Sequence, residues 1–275
     1  MTSPSPLATP VPWNLVAPAY EAEVVPQFQH FAREALRLAA PPAGSRGADV
    51  ACGPGTLALL AASAGLTVDA LDFSTEMIER LERRARSLDL GGVTARVGDG
   101  QALPLEDGAY AGAFSLFGLM VFPDRASGFA ELRRILAPGA RAVVSSWQPL
   151  ERVPAMAAMF GALRETLWKT LGQGGPPQSD QAPLTTPDAC RSEMGRSFVD
   201  VVVHPVSTEV DFPSVGALWE SMQRTMAPIV MMRRGVGEER WAPRSSAARA
   251  AMAAALGEGP VKLAMNALLT VGVAG

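Results

Sequence analysis

Three short clusters in this sequence have residue types and spacings suited to chemistry. The first is Asp49-Val50-Ala51-Cys52-Gly53-Pro54-Gly55-Thr56. Two glycines one residue apart let a backbone turn tightly and approach a ligand closely. Thr56 is placed to cap the helix that follows. A pyrophosphate cradle needs the spacing G-x-G-x-x-G. Here Ala58 stands three beyond Gly55 and Ala51 stands two before Gly53, so the loop suits a small ligand better than a dinucleotide. Taken alone it can also be a plain strand-to-helix turn. The second cluster centres on Asp72, whose carboxylate can accept two hydrogen bonds from the vicinal hydroxyls of a ribose. Helix capping is the competing reading, although Ser74 is already a good cap. The third is Val97-Gly98-Asp99-Gly100-Gln101. Asp99 can accept from an exocyclic amine such as that of adenine, or it is an ordinary turn aspartate before glycine.

These clusters need a scaffold that brings them together, and the pattern between them supplies one. Residues 48–52, 67–71, 93–97, 110–116 and 142–147 read as strands. Residues 57–64, 75–88 and 126–136 read as helices, stopped by Gly65 and by Pro138-Gly139. Strand-helix alternation predicts an α/β fold with a parallel sheet and helices on both faces. In such a sheet ligands bind outside the strands' carboxyl ends, where all three clusters fall. Before the alternation, residues 1–12 read as a disordered arm, and residues 19–40 as helix interrupted or restarted at Pro26. After Trp147 the rhythm changes. Residues 153–171 read as a long apolar helix, 172–187 as a Gly/Pro/Gln-rich loop, and 198–212 as one bent strand or two. Residues 214–256 look helical. Residues 261–273 fit helix or strand, and strand is favoured, as the edge of a twisted sheet.

Composition narrows the class. The 275 residues are 48% hydrophobic and 19% charged, which excludes intrinsic disorder. That length fits two domains or one with a large insertion. The net charge of −3 argues against a nucleic-acid binder, which needs a basic surplus to displace counterions. Two cysteines and two histidines are too few for a disulfide framework or a structural zinc site, so no metal is expected. There is no recognisable signal peptide and no run of about 18 apolar residues, so a cytoplasmic protein without a membrane span is expected.

The motif set resembles the class I S-adenosylmethionine-dependent methyltransferases, on the side of their ubiquinone/menaquinone-biosynthesis-like small-molecule branch. The residues that carry the resemblance are Asp49 to Gly55, Leu71-Asp72-Phe73-Ser74-Thr75-Glu76-Met77, Gly98 to Pro104, and Glu131-Leu132-Arg133-Arg134-Ile135-Leu136-Ala137-Pro138-Gly139-Ala140. It spans about residues 13–148, with weaker matches in 198–212 and 261–272. It implies a seven-stranded, mostly parallel Rossmann-like sheet whose last strand is antiparallel and lies between the fifth and sixth. One domain, 13–275, would then comprise N-terminal cap helices (13–45), a cofactor-binding core (46–148), lid insertions (149–195 and 213–258) and closing strands (198–212 and 261–273).

The same resemblance implies S-adenosylmethionine as cofactor. Ala51, Cys52 and Gly53 would pass along its methionine portion. Asp72 would hold the ribose diol, with Phe73 and Met77 beside the adenine. Asp99, Gly100 and Gln101 would meet the adenine itself. Ser115, Leu116 and Phe117 would border the methyl group, and Tyr20 would cover the cofactor. The family's usual first loop glycine is Ala51 here, and an acidic residue that often opens the fourth strand is Ala111.

Methyl transfer from a sulfonium mainly needs orientation and desolvation, so a general base is useful but not obligatory. His30, on an N-terminal helix, is a weak candidate for one and is otherwise a solvated helix position. His204 reads as structural or surface. Met156, Met159, Phe160, Trp168, Met222, Met226, Met231 and Met232 suit an irregular apolar ligand, or are plain core at helical spacing. Arg233 and Arg234 could face a substrate acid or simply be exposed. The expected function is methyl transfer to oxygen or carbon of a small apolar or aromatic acceptor, including those of secondary metabolism. The alternatives are a non-catalytic binding or partner protein on this fold and, further off, an NAD(P)-dependent oxidoreductase, which lacks its third loop glycine here.

Overall fold

The computed structural model describes residues 6–169 and 184–275. The expected loop at 172–187 therefore lies mostly outside the described residues, as do residues 1–5 of the expected arm. The rest of that arm is ordered. A 3-10 turn at Pro6–Ala8 leads into α1 (Pro10–Ala19), with Thr9 extended before it and Pro10 in its first turn. Proline fits there because its missing N–H would have no helical partner anyway. A π-helical turn, Tyr20–Val24, follows and runs into α2 (Val25–Ala39), so Pro26 begins a helix and does not break one.

The alternation then proceeds as the apolar pattern predicts, through β1 (Arg46–Val50), α3 (Thr56–Ser63), β2 (Thr67–Asp72), α4 (Thr75–Ser87), β3 (Val93–Val97), β4 (Tyr110–Leu116), α5 (Arg125–Ile135) and β5 (Leu136–Trp147). β5 starts earlier than expected. Its first residue pairs with Tyr110, and the register then shifts so that Arg141 faces Gly112, absorbing Pro138-Gly139 in an irregularity. The remainder is α6 (Pro154–Leu163), a π-helical turn at Arg164–Trp168, α7 (Pro187–Met194), β6 (Val199–Phe212), α8 (Val215–Thr225), α9 (Ala227–Val236), α10 (Glu238–Leu256) and β7 (Val261–Val273).

The seven strands form one sheet in the order β3-β2-β1-β4-β5-β7-β6. β7 is antiparallel to both neighbours. Residues 261–273 are thus an interior strand, as the family resemblance implies, and not the edge that twist alone suggested. The edge is β6, a single strand with Pro205 inside it, at a position where a missing N–H is tolerated. The order changes direction between β1 and β4, which makes their carboxyl ends the crevice of the sheet.

Both faces are covered. Phe31, Leu57, Ile78 and Leu81 from α2, α3 and α4 pack with Val68, Ala70, Phe114 and Val143 on one side. Phe129, Leu132 and Ile135 of α5 pack with Ala48, Val50, Leu71 and Ala113 on the other. Adjacent Ala70 and Leu71, or Ala113 and Phe114, go to opposite faces, the period of two that a doubly covered strand requires. α7 does not join the lid. Its Cys190 and Met194 sit in the second of these layers, and Glu193 pairs with Arg125 of α5. Other residues of the expected lid form a third cluster, in which Met159, Leu163, Trp219, Met222, Met232 and Trp241 pack on Val261 and Leu263 at the start of β7. Because β7 is antiparallel, its start lies at the carboxyl ends of the parallel strands. No helix among the described residues is long and apolar enough to cross a membrane.

Candidate active site

The loop after β1 turns through three residues with positive φ: Ala51 (56°), Gly53 (54°) and Gly55 (83°). Gly55 is tightly held, because a Cβ there would come within 2.2 Å of Leu81. Gly53 is open, with nothing within 4 Å of the place a Cβ would take, so its surface is free to face a ligand. Thr56 is not the cap of α3. Gly55 takes the cap position in left-handed conformation, without a side-chain hydrogen bond. The capping function falls to Asp49, whose Oδ2 accepts from the Ala58 N–H at 3.0 Å. Burial raises the Asp49 carboxyl to about 7, against the lowering effect of that hydrogen bond.

Asp72 ends β2 and is joined to the same loop. Its Oδ2 accepts from Gly53 N at 2.8 Å and its Oδ1 from Ser74 N at 2.9 Å. Burial raises its pKa to about 6, and the two N–H donors pull the other way. Ser74 caps α4 as expected, accepting from Met77 N at 3.2 Å, and donates its hydroxyl to Asn14 of α1 at 2.6 Å. Asn14 gave no sequence signal; it matters because it fastens α1 across the end of β2. Met77 is buried against Val16, Ala17 and Ala227, so α1 and α9 both cover it. Phe73 is half-buried between Asp72 and Ser74.

The third cluster follows β3. Gly98 N donates to Asp72 O at 3.0 Å, setting Asp99 beside Asp72 on the neighbouring strand end. Asp99 is exposed. Its Oδ1 accepts from the backbone and side-chain nitrogens of Gln101 at 2.9 and 3.0 Å, and Gln101 Oε1 accepts from Asp124 N at 2.8 Å. Gly100 is required by close packing, since a Cβ there would lie 2.5 Å from Phe122 and 2.8 Å from Val50.

Past β4 the chain turns sharply. Leu116 is half-buried opposite Ser145 of β5. Ser115 is fully buried and accepts from Leu119 N at 3.1 Å. Phe117 has φ of 59° and donates its N–H to Ser145 Oγ at 2.9 Å. Gly118 presses on the first loop, where a Cβ would stand 2.3 Å from the Cβ of Ala51. Two non-glycine residues in left-handed conformation, Ala51 and Phe117, therefore flank the crevice between β1 and β4. Strain of this kind persists only where surrounding structure over-determines it.

Tyr20 reaches the site through its π-helical turn, an irregularity frequent at functional positions. Burial and the nearby Asp72 charge push its hydroxyl well above the usual tyrosine value. The same turn is fastened on both sides. Glu21 accepts from Arg80 of α4 at 2.7 Å, while Glu23 accepts from Ser221 at 2.6 Å and from Arg224 at 2.7 Å on α8. Cys52 is buried, which raises its thiol, and its N–H donates to Leu71 O at 2.9 Å.

His30 is half-buried with its ring 5.9 Å from Phe31, and His204 lies on edge strand β6. Arg233 is paired with Glu238 at 2.6 Å, so a role against a substrate acid is not what its geometry serves. Among the lid residues Met159, Trp168, Met222 and Met232 are core, while Met156, Phe160, Met226 and Met231 are half-buried. Among the described residues no three His, Cys, Asp or Glu side chains gather as metal ligands do. An aromatic group went unread as a site: Phe28, Phe31, Phe117 and Trp147 meet over the ends of β4 and β5. Phe28 and Phe31 carried only the helical spacing of a core face, and Trp147 only the end of a strand.

The chain's comparisons with known proteins agree with this geometry. Residues 48–139 match the family model described as a methyltransferase domain. A demethylmenaquinone methyltransferase of Thermus thermophilus is 38% identical over 121 residues, 42% of this chain and 54% of that one. Curated relatives are matched over between 32% and 54% of their own length. Among solved structures, a Haemonchus contortus phosphoethanolamine N-methyltransferase in complex with S-adenosylmethionine has a TM-score of 0.53 at 18% identity, covering 88% of this chain and 52% of that one. A [4+2]-cyclase has a TM-score of 0.60 at 15% identity, covering 99% of both chains. At such identities these two report the fold alone. Residues 48–139 are thus similar to a methyltransferase domain, on a sheet order and glycine loop that agree with the match, and the relatives include demethylmenaquinone and ubiquinone/menaquinone-biosynthesis methyltransferases of which the chain spans about half the length.

Proposed function

We propose that the protein transfers a methyl group from S-adenosylmethionine to an oxygen or carbon atom of a small apolar or aromatic acceptor. The observation that carries the reading is Asp72, a buried carboxylate joined by Gly53 N to an open glycine loop at the sheet's crevice. A ribose diol is the ligand group such an acid accepts from. Asp72 and Asp99 on neighbouring strand ends make that edge of the crevice acidic, which suits a cationic sulfonium.

When bound, the cofactor supplies an electrophilic methyl on positive sulfur. The chain's part is to bind, orient and exclude water. In this reading Asp72 holds the ribose, with Phe73 and Met77 beside the adenine. Asp99, Gly100 and Gln101 take the adenine edge. Ala51, Cys52 and Gly53 line the amino-acid portion, and Ser115, Leu116 and Phe117 border the methyl. Tyr20 closes the site from above, held by the two ion pairs of its turn. His30 is the one histidine on the covering helices, and it keeps its place as a weak base candidate.

A relative named demethylmenaquinone methyltransferase makes quinone-like rings the first acceptors to try. The deciding experiment is a labelled-methyl transfer screen over phenols, hydroxy acids and quinone-like compounds. Turnover of any of them supports the proposal, and cofactor binding without turnover of any acceptor points to the second reading. That reading, a binding protein or a catalyst of another reaction on this fold, is favoured by one observation: a cyclase has the same fold over 99% of both chains.

A further inference from the structure

The aromatic group over β4 and β5 is built with more constraint than core packing needs. Phe117 is held left-handed by the hydrogen bond from its N–H to Ser145 Oγ, at 2.9 Å, and Ser145 is fully buried. Its ring lies flat on Trp147, with centroids 4.0 Å apart and planes 14° from parallel. Ser145 and Trp147 are two apart on β5 and so share one face of the strand. One strand face thus fixes both the backbone and the ring of Phe117. Phe31 forms the floor, 5.3 Å from Phe117 and 5.9 Å from Trp147, edge-on to both. Phe28 and Tyr20 form a rim from the covering helices, with Phe28 4.8 Å from Phe117.

Phe31 is fully buried, whereas Phe28, Phe117 and Trp147 are each only half-buried. The residue after Phe117 is Gly118, pressed on Ala51 of the glycine loop. The stack therefore includes a residue of the proposed site, Phe117, and adjoins the glycine loop through Gly118.

We propose that the Phe117–Trp147 stack is the wall on which a planar aromatic ring of the acceptor is seated, and that Ser145 is the positioning residue that keeps this wall flat. The shape selects the occupant. A face-to-face pair offers a flat outer ring face backed by its partner, whereas a cage for an onium cation turns several ring faces inward around a point. A flat π-system gains offset stacking on such a face, and a saturated ring of the same size gains only area burial. The inference rests on the methyl-transfer reading for the ring's purpose, but its test is independent of that reading.

The test is a calorimetric titration of 1-naphthol, decahydro-1-naphthol and choline into the protein, with and without S-adenosylhomocysteine. The wild type is expected to prefer 1-naphthol over its saturated counterpart by about three- to tenfold, the usual worth of aromatic stacking. Trp147→Leu removes the preference. Ser145→Ala reduces it and Ser145→Thr, which keeps the hydroxyl, restores it, while S-adenosylhomocysteine affinity stays unchanged in all three. Because the readout is a ratio of two ligands, a general loss of stability does not imitate it. Equal affinity for the two ring systems in the wild type overturns the inference. So does choline binding as well as 1-naphthol, or a preference that survives in Trp147→Leu. Failure of S-adenosylhomocysteine to bind, with the ring preference intact, sinks the cofactor reading and leaves this one standing.

Discussion

Gly53 donates its backbone N–H to Asp72 Oδ2 across 2.8 Å, so the loop after β1 and the acid ending β2 are one structural unit. A change at either residue is felt by the other, and cofactor affinity is the natural place to read it.

Replacing Asp72 by alanine removes a charged acceptor and leaves the Gly53 and Ser74 N–H groups without their partner. Isothermal titration with S-adenosylhomocysteine is expected to show a loss of about 10–100-fold, or roughly 1.5–3 kcal/mol. Unchanged affinity would remove the ribose assignment. The wild-type pH profile provides a second check. The acceptor form is the carboxylate, and burial raises the group to about 6. Affinity should therefore climb as pH rises through that value, a dependence that Asp72→Asn abolishes.

Asp49 makes the opposite pH prediction for stability. Its folded-state value, about 7, lies above the ordinary carboxylate value, so the folded protein holds this proton more tightly than the unfolded chain does. The stability it contributes is complete at low pH and is lost as pH rises through the folded value. Asp49→Asn has no proton to lose, and its side-chain oxygen can still accept from Ala58 N. Relative to wild type, the variant should gain about 1–3 kcal/mol between mildly acidic and mildly alkaline pH, measured by urea denaturation at both. A gap that does not change with pH counts against a buried, titrating Asp49.

Gly118 has an ordinary negative φ, so alanine there is opposed by sterics alone. The added methyl would stand 2.3 Å from the Cβ of Ala51. Gly118→Ala is expected to cost about 1–3 kcal/mol of stability and to weaken cofactor binding. Ala51→Gly removes both the facing methyl and the positive-φ strain, so the double variant should recover most of the loss. Simple additivity of the two changes in a double-mutant cycle would mean that the contact is not the cause.

The other end of the sheet supplies a contrast. Asp69 is buried and accepts from the Tyr110 hydroxyl at 2.8 Å, from Arg46 at 3.1 Å and from Arg96 at 3.3 Å. Tyr110→Phe should cost about 1–2 kcal/mol in denaturation. S-adenosylhomocysteine affinity should remain that of the wild type, because β1, β2 and β4 separate this cluster from the crevice. A matching loss of affinity would show that the two ends of the sheet are coupled.

What the sequence determined by itself was local. Period-two and helical spacing identified the strands and helices from β1 to β5, because apolar burial on two faces imposes those periods directly. The glycine loop, Asp72 and Asp99 were legible because turn chemistry and strand ends lie within a few residues of one another. The tertiary structure decided whatever depends on residues far apart in the chain. It placed β7 inside the sheet, moved α7 from the lid to a core layer, and gave the capping of α3 to Asp49 instead of Thr56. It set Gly118 against Ala51, and Tyr20 near Asp72. It also gathered Phe28, Phe31, Phe117 and Trp147 into one aromatic cluster from three elements, each of which shows an ordinary apolar pattern. Periodicity records which face of an element is buried. Which other face it meets is settled only by the packing of the whole chain.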